Sequence, residues 1–204
     1  MATVAQRLEQ APLVIRLRPY IELDSDQFFE FCQLNGELRI ERTAEGEILI
    51  MPPAGGGSAY RSLELAAQVR EWAKRDGTGV AFDSSAGFDL PNGATRSPDA
   101  SWVRKDRLKK LPSGKKEEFL PLCPDFAAEM LSPSDSLRAA KKKMQEYIDN
   151  GARLALLFDP WERRVYVYRP GANVDRLDNP RTVSGSPEMP GFALELRSIW
   201  ELPF

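Results

Sequence analysis

The sequence predicts a single mixed α/β domain, and three observations support that prediction. The chain has 204 residues, which is enough for one sizeable hydrophobic core and short for two. Segments with the period of strands are interspersed with segments that have the period of helices. No internal repeat and no long linker divides the chain. We therefore expect one domain over residues 1–204, with its core between about residues 23 and 196.

The first predicted elements are a short helix and a β-hairpin. Leu23–Asp26 offers N-cap residues for the helix, and Asn35-Gly36 is typical of its end. Residues 38–42 and 47–51 are apolar-rich strand segments, and the turn residues 44–46 separate them. This arrangement predicts an N-terminal hairpin.

A glycine-rich loop, Gly55-Gly56-Gly57, precedes a second predicted helix. This helix opens near Ser58, carries apolar residues as far as Trp72 and ends at Asp76-Gly77. A phosphate-binding loop is the functional alternative for three consecutive glycines. The Gly-Lys-Ser/Thr ending of the Walker pattern is missing, so we interpret the loop as a flexible connection.

Strand patterns fill residues 79–103, and a basic stretch follows them. The segments 80–82, 87–90 and 99–103 have strand character. Residues 104–116 are basic, polar and interrupted by proline and glycine, which predicts a surface excursion. This stretch could follow a nucleic-acid backbone if it faced acidic residues in the fold.

The C-terminal half predicts a buried strand, a helix and a second hairpin. Residues 126–131 are small or apolar with little alternation, which indicates a strand covered on both faces. A helix capped near Pro133–Asp135 follows, with apolar positions at a period near 3.6 residues. The second hairpin covers residues 154–168, and a short strand-like segment covers 192–196. The hairpin is apolar and rich in tyrosine, so it is also a candidate dimer interface.

Composition excludes several kinds of active site. The chain has no histidine, which excludes serine–histidine triads and zinc sites built on imidazole. Cys32 and Cys123 match no metal-ligand spacing and are expected to be reduced thiols. The net charge of −2 gives no general attraction to nucleic acid. Met1–Arg7 resembles no targeting signal and no apolar run would span a bilayer, so a cytoplasmic protein without a membrane partner is expected.

Two acidic residues are the strongest candidates for chemistry. Glu129 lies inside an apolar strand, where a carboxylate must be paired, hydrogen-bonded or bound to a metal. A salt bridge from an arginine is the structural alternative for Glu129, and a turn cap is the alternative for Asp99. If adjacent strands bring Asp99 and Glu129 to one sheet edge, the pair would supply oxygen ligands suited to magnesium or manganese.

Three consecutive lysines on the helix after Glu129 differ in their angle to its apolar face. With a turn of about 100° per residue, Lys142 points away from the apolar face centred near Met144. Lys141 and Lys143 flank that face on opposite sides. Either could lean over the sheet edge, where an ammonium group would stabilise a phosphate or an attacking hydroxide.

Several motifs, taken in order, resemble the Uma2 family, formerly a domain of unknown function, DUF820, that is abundant in cyanobacteria. The matching segments are Ser97–Ser101, Pro124–Glu129, Ser132–Ser136, Lys143–Tyr147, Asn150–Arg153 and Phe158–Pro160. The likeness extends from about Leu23 to Phe192. It implies a restriction-endonuclease-like fold, with a central mixed sheet flanked by helices, an N-terminal hairpin and a C-terminal hairpin.

The resemblance implies a role for each matching position. Asp99 and Glu129 take the metal-binding roles, with Mg²⁺ or Mn²⁺ as the cofactor. In the restriction-endonuclease-like superfamily, to which the resemblance points, a lysine usually stands two residues after the second acid. Leu131 occupies that position here, and the Lys-x-x-x-Tyr spacing selects Lys143 instead. Glu41 matches a family glutamate that joins the site. The implied activity is hydrolysis of DNA by an endonuclease, and a homodimer is implied because enzymes that cut both strands often pair.

One departure from the family pattern keeps other functions open. Many members carry a histidine where this chain offers Ser58, Ala59 or Tyr60. A nuclease-fold protein that binds DNA or another partner with weakened catalysis is therefore one alternative. The other is a carboxylate-pair hydrolase acting on sugars, which would need one acid with a raised pKa. A neighbouring lysine disfavours it, because a cation lowers the pKa of an acid.

Overall fold

The structure, a computed structural model, describes residues 12–204. Within them lie five α-helices: α1 (Ser25–Leu34), α2 (Gly56–Asp76), α3 (Lys105–Leu108), α4 (Leu137–Asp149) and α5 (Arg197–Trp200). The strands are β1 (Leu13–Arg16), β2 (Arg39–Arg42), β3 (Glu47–Met51), β4 (Gly79–Asp83), β5 (Phe88–Asp89), β6 (Thr95–Arg96), β7 (Ala100–Arg104), β8 (Phe126–Met130), β9 (Leu154–Asp159), β10 (Arg164–Tyr168), β11 (Asp175–Asp178), β12 (Thr182–Ser184) and β13 (Ala193–Glu195). A 3₁₀ turn covers Ser113–Lys116.

A six-stranded sheet in the order β11-β10-β9-β8-β7-β4 forms the centre of the fold. The β8–β9 pair is parallel and the other pairs are antiparallel, so the sheet is mixed, as predicted. The parallel pair needs a crossover connection, and α4 supplies it. The strands β8 and β9 are almost entirely buried, which explains their nearly continuous apolar sequence.

The two faces of the central sheet are covered by different elements. On one face, Phe126, Ala128 and Met130 of β8 belong to the core that α2 and α5 close. On the other face, Ala127 belongs to a core with Met144 and Tyr147 of α4. Because side chains alternate along a strand, Glu129 shares the α4 face with Ala127. This alternation decides where the site lies.

A second sheet, here termed the hairpin sheet, has the strand order β1-β3-β2-β6-β5 and contains the predicted N-terminal hairpin. The helix α1 packs on it through a small core of Phe28, Ile40 and Ile48. Asp24 caps α1 in a reciprocal capping box with Gln27, as the N-cap prediction expected. A third, two-stranded sheet pairs β12 with β13 near the C-terminus.

The structure changes three details of the sequence interpretation. The second helix begins at Gly56 rather than near Ser58. The strand predicted over 87–90 contains only β5. The tyrosine-rich hairpin is not an exposed surface, because Tyr166 and Tyr168 are buried in the chain's own core. Its tyrosines therefore give no basis for placing a dimer interface there.

The basic stretch is a surface excursion, as predicted, but it lies away from the acids. It follows the C-terminal end of β7, whereas Asp99 immediately precedes that strand. Lys115 in this stretch pairs with Asp26 of α1. Residues 1–7, on which the absence of a targeting signal was based, lie outside the described residues. None of the helices described is long and apolar enough to cross a membrane.

Candidate active site

The two predicted acids lie side by side on adjacent strands. Ala100 of β7 pairs with Ala128 of β8, so Asp99 and Glu129 occupy the next position outward in the same antiparallel register. The backbone N–H of Met130 donates to Oδ2 of Asp99 at 2.8 Å, which fixes that carboxylate against β8. Both side chains are largely shielded from solvent, at 12% exposure for Asp99 and 13% for Glu129.

The helix α4 brings a lysine and a tyrosine over Glu129. Ser136 caps α4 by accepting a hydrogen bond from the N–H of Ala139. Residues four apart share a helix face, so Lys143 and Tyr147 project together toward β8. Lys143 Nζ lies 2.8 Å from Oε1 of Glu129, and the Tyr147 hydroxyl donates to the same oxygen at 2.8 Å. No hydrogen bond or ion pair from the described part of the chain engages Oε2 of Glu129, which is therefore left for another ligand.

The N-terminal hairpin supplies the third acid, Glu41. Its side chain is 1% exposed, and its Oε1 accepts from Lys143 Nζ at 2.9 Å. The backbone N–H of Ser97 donates to the same oxygen at 3.1 Å. Lys143 therefore joins the hairpin sheet to the central sheet through two carboxylates.

A buried arginine and a further glutamate form a layer behind Glu41. Arg96 Nη1 lies 3.3 Å from Oε2 of Glu41, and Arg96 Nε lies 2.7 Å from Oε2 of Glu146. Asn92 donates to the remaining oxygen of Glu146 at 3.0 Å. Every oxygen of Glu41 thus has a cationic or N–H partner, which leaves Glu41 little capacity to bind a metal directly.

Burial and charge move the pKa values of the acids in different directions. Burial raises the pKa of Glu129 to about 7, because the charge of Lys143 only partly offsets the loss of water and the repulsion from Asp99 and Glu41. Burial also raises the pKa of Asp99 above its ordinary value, although the Met130 N–H opposes the shift. Burial opposes the charge on Glu41 as well, but Lys143 and Arg96 hold its pKa below the ordinary value.

The lysine and tyrosine keep their protons in this environment. Burial disfavours the charge on Lys143, but the carboxylates of Glu129 and Glu41 outweigh it and raise the lysine pKa. Burial raises the pKa of Tyr147 well above its ordinary value, and the neighbouring carboxylates add to the shift. Lys143 is therefore an ammonium ion and Tyr147 a neutral donor at neutral pH.

The donor set fits a hard divalent cation bound through two carboxylates. In the described part of the chain, no group of three or more His, Cys, Asp or Glu side chains is placed to hold a metal ion. Mg²⁺ commonly takes only one or two protein carboxylates and completes its shell with water and substrate phosphate. Asp99 Oδ1 and Glu129 Oε2 are the oxygens that the tight hydrogen bonds leave available. Asp99 and Glu129 would hold the cation, and its charge would offset the burial and the repulsion that raise the pKa of Glu129.

The structure brings together all four residues that the sequence predicted: Asp99, Glu129, Lys143 and Glu41. Within residues 12–204 no arginine pairs with Glu129, and its cationic partner is Lys143 instead. Of the other lysines, Lys141 lies over the ring of Tyr166 at 4.1 Å and Lys142 is exposed. The catalytic roles of the four residues stay predictions.

Sequence reasoning did not assign a role to Arg96, Glu146, Arg39 or the Tyr147 hydroxyl. The helical period of α4 fits Tyr147 as an apolar position, but its place four residues after Lys143 also indicates a common target for the two side chains. Arg39 stands two residues before Glu41 on β2, and this spacing places both on one face of the strand. For Arg96 and Glu146, which meet across 50 residues of sequence, no local signal exists.

The comparisons with known proteins agree with this fold. The model of the Uma2 family, described as "Putative restriction endonuclease", matches residues 25–197. A solved structure from Anabaena variabilis ATCC 29413, described as a "putative nuclease belonging to DUF820", superposes with a TM-score of 0.73 at 22% sequence identity. The match covers 88% of this chain and 98% of that one, so the two share a fold. No curated protein sequence matches the chain. Because the family model spans most of its length, the chain belongs to the Uma2 family.

Proposed function

We propose that the protein is a metal-dependent endonuclease that hydrolyses phosphodiester bonds in DNA, with Mg²⁺ or Mn²⁺ as its cofactor. The observation that carries the proposal is the cluster of Asp99, Glu129 and Lys143, in which two carboxylates on adjacent strands meet one ammonium group. The family description and the description of the Anabaena protein support the same reaction class.

Each residue has a defined part in this proposal. Asp99 and Glu129 would hold the cation through the oxygens that face away from Met130 N–H and Lys143. When bound, the cation supplies Lewis-acid polarisation of the phosphate and a water of lowered pKa. Lys143 stabilises negative charge that develops on the phosphate or the nucleophile. Glu41 positions Lys143, and its negative charge keeps the lysine protonated. Both oxygens of Glu41 are already hydrogen-bonded, so we assign it no direct bond to the cation.

Cleavage of supercoiled plasmid DNA tests the proposal. The wild-type protein should nick or linearise the plasmid with Mg²⁺ or Mn²⁺ and not with EDTA. Asp99→Ala and Glu129→Gln should each abolish cleavage while the circular dichroism spectrum stays that of the wild type. Glu188→Gln is a matched control, because Glu188 is 14% exposed and paired with Arg169 outside the site. Full activity in either site variant would refute the site assignment.

A DNA-binding protein with weakened catalysis is the second candidate. The absence of a three-carboxylate group among the described residues favours it, since two ligands hold a cation weakly. Such a protein would shift labelled duplex DNA in a gel without cutting it under any divalent cation. A calorimetric titration with Mg²⁺ separates the candidates. Only the nuclease must bind Mg²⁺ at this site, so only the nuclease requires a heat of Mg²⁺ binding that disappears in Glu129→Gln.

We also propose that two copies act together when both strands of a duplex are cut. Sedimentation velocity measures this directly, and a purely monomeric protein that linearises plasmid in one step would contradict it.

A further inference from the structure

The cations of the site differ in how many partners they already have. Lys143 is held by Glu41 and Glu129, and its side chain is 18% exposed. Arg96 is held by Glu41 and Glu146, and its side chain is 9% exposed. Each of these two cations is therefore neutralised by a pair of carboxylates and faces little solvent.

Arg39 is the cation beside the acids that is still open to solvent. Its side chain is 41% exposed, and its Nη2 lies 3.9 Å from Oδ1 of Asp99. The same nitrogen donates to the carbonyl oxygen of Ser97 at 3.1 Å. Among the described residues, no hydrogen bond engages Nε or Nη1 of this guanidinium group. Most of its five N–H donors are therefore available to a ligand.

Its position on the strand places Arg39 at the mouth of the site. Arg39 is the first residue of β2, and Glu41 follows on the same face of that strand. Arg39 donates to the carbonyl oxygen of Ser97 while Glu41 accepts from the N–H of Ser97, so the two side chains bind the two backbone polar groups of one residue. Ser97 is followed by Pro98 and then by Asp99. The guanidinium is thereby held beside the acids.

We propose that Arg39 binds a backbone phosphate of the nucleic acid and so guides the strand toward Asp99 and Glu129. This inference rests on the proposed function, since it assumes a phosphodiester substrate. Three acids repel a polyanion, and the net charge of the chain offers no compensating attraction. A guanidinium fork matches phosphate geometry with two parallel hydrogen bonds, which a lysine at this position would not reproduce.

Salt-dependent DNA binding distinguishes this role from a structural one. Binding of a fluorescein-labelled duplex of mixed sequence is followed by anisotropy in EDTA, over about 50 to 200 mM salt. Arg39→Ala should weaken binding by roughly tenfold and reduce the slope of log K against log salt by about 1. Arg39→Lys should keep the slope and lose about threefold in affinity, because the charge remains and the fork does not. An arginine that only tethers β2 to Ser97 would leave the slope unchanged.

Arg104→Ala is the matched control. Arg104 is 44% exposed and paired with a single carboxylate, Asp106, at the opposite end of β7. The DNA affinity of Arg104→Ala and its slope of log K against log salt should match those of the wild type. If Arg39→Ala melts at a lower temperature than Arg39→Lys, its weaker DNA binding could reflect lost stability, and the test then rests on Arg39→Lys. A loss of affinity in Arg39→Lys at an unchanged salt slope is expected only if Arg39 binds a phosphate.

The outcomes separate this inference from the proposed function. Wild-type cleavage of DNA together with an unchanged salt slope in Arg39→Ala overturns the role of Arg39 and leaves the nuclease intact. A wild-type protein that neither binds nor cuts DNA overturns both. An equal loss in Arg104→Ala and Arg39→Ala also overturns the role, because the effect would then reflect general charge.

Discussion

Replacement of Lys143 by methionine should destabilise the protein by an amount that grows with pH. In the wild type, Lys143 Nζ lies 2.8 Å from Oε1 of Glu129 and 2.9 Å from Oε1 of Glu41. Methionine has an unbranched side chain of similar length but carries no charge. Removing one partner of a buried ion pair costs about 3 to 5 kcal/mol when the remaining charge stays ionised. Glu41 keeps Arg96 and the N–H of Ser97, so the uncompensated charge falls on Glu129.

Protonation of Glu129 sets the pH window of the effect. Burial and the neighbouring acids raise the pKa of Glu129 from its ordinary value of 4.5 to about 7, although Lys143 lowers it. A carboxyl group with a raised pKa favours the folded state fully below pH 4.5, and this contribution is lost as pH rises through 7. In Lys143→Met the pKa of Glu129 is higher still, because the ammonium group that lowers it is gone. The variant therefore continues to lose stability at pH values above the Glu129 pKa of the wild type. The stability gap between variant and wild type should therefore widen by about 1.4 kcal/mol per pH unit above neutrality.

Urea unfolding followed by tryptophan fluorescence measures this gap. Trp72 and Trp102 are buried in the main core and will report its loss. We expect a deficit of about 2 kcal/mol near pH 6 and about 3 to 5 kcal/mol near pH 8. In the Glu129→Gln background the deficit of Lys143→Met should depend much less on pH, because the remaining carboxylate beside the methionine, Glu41, keeps Arg96 and the N–H of Ser97. A deficit that is equal at both pH values in the wild-type background would refute the assignment of Glu129 as the stranded charge.

Three further predictions follow from other contacts. Tyr147→Phe removes the donor that orients Glu129, so the Mg²⁺ concentration for half-maximal cleavage should rise several-fold while the fold persists; an unchanged Mg²⁺ dependence would count against that positioning role. Burial raises the pKa of the Cys32 thiol to about 11 and that of Cys123 to about 12. Mass spectrometry should therefore show that iodoacetamide labels the native protein slowly at about pH 8, faster as the pH rises, and fully in urea. Rapid labelling of the native protein at about pH 8 would contradict this. Ser136→Ala removes the α4 cap and should cost about 1 kcal/mol in urea unfolding, whereas a loss below the error of the measurement would show that the long Ser136–Ala139 bond contributes little.

The sequence predicted most elements of the fold because the local signals agreed with the tertiary environment. The β8 segment lacks alternation since both of its faces are covered, and α4 has its apolar stripe since it crosses the sheet. The boundaries near Gly56 and in the 87–90 segment were missed. Gly55 caps α2 without a side-chain hydrogen bond, so no residue type marked that start. The short β5 depends on its pairing with β6, which local propensity does not encode.

The acid pair was predictable and the layer behind it was not. Glu129 is conspicuous because a carboxylate in an apolar strand needs a partner, and Asp99 stands at the start of a strand pattern. The contacts of Glu41 with Lys143 and Arg96 span 102 and 55 residues. Such contacts depend on how the hairpin sheet docks on the central sheet, and periodicity along the chain carries no information about that docking.

The polar cluster gives the two sheets a defined mutual position. The apolar core of the hairpin sheet is small, with Phe28, Ile40 and Ile48 as its buried members. Glu41 of that sheet reaches Lys143 of α4, while Arg96 reaches Glu146 one turn further along the same helix. Buried ion pairs contribute little net stability, but they exclude alternative registers because each misplacement strands a charge. The helix that carries Lys143 is thus aligned by the hairpin sheet and by Glu129 at once, so a shift of the hairpin would move the ammonium group away from the acids. On this reasoning the hairpin sheet helps to position Lys143 in the proposed site.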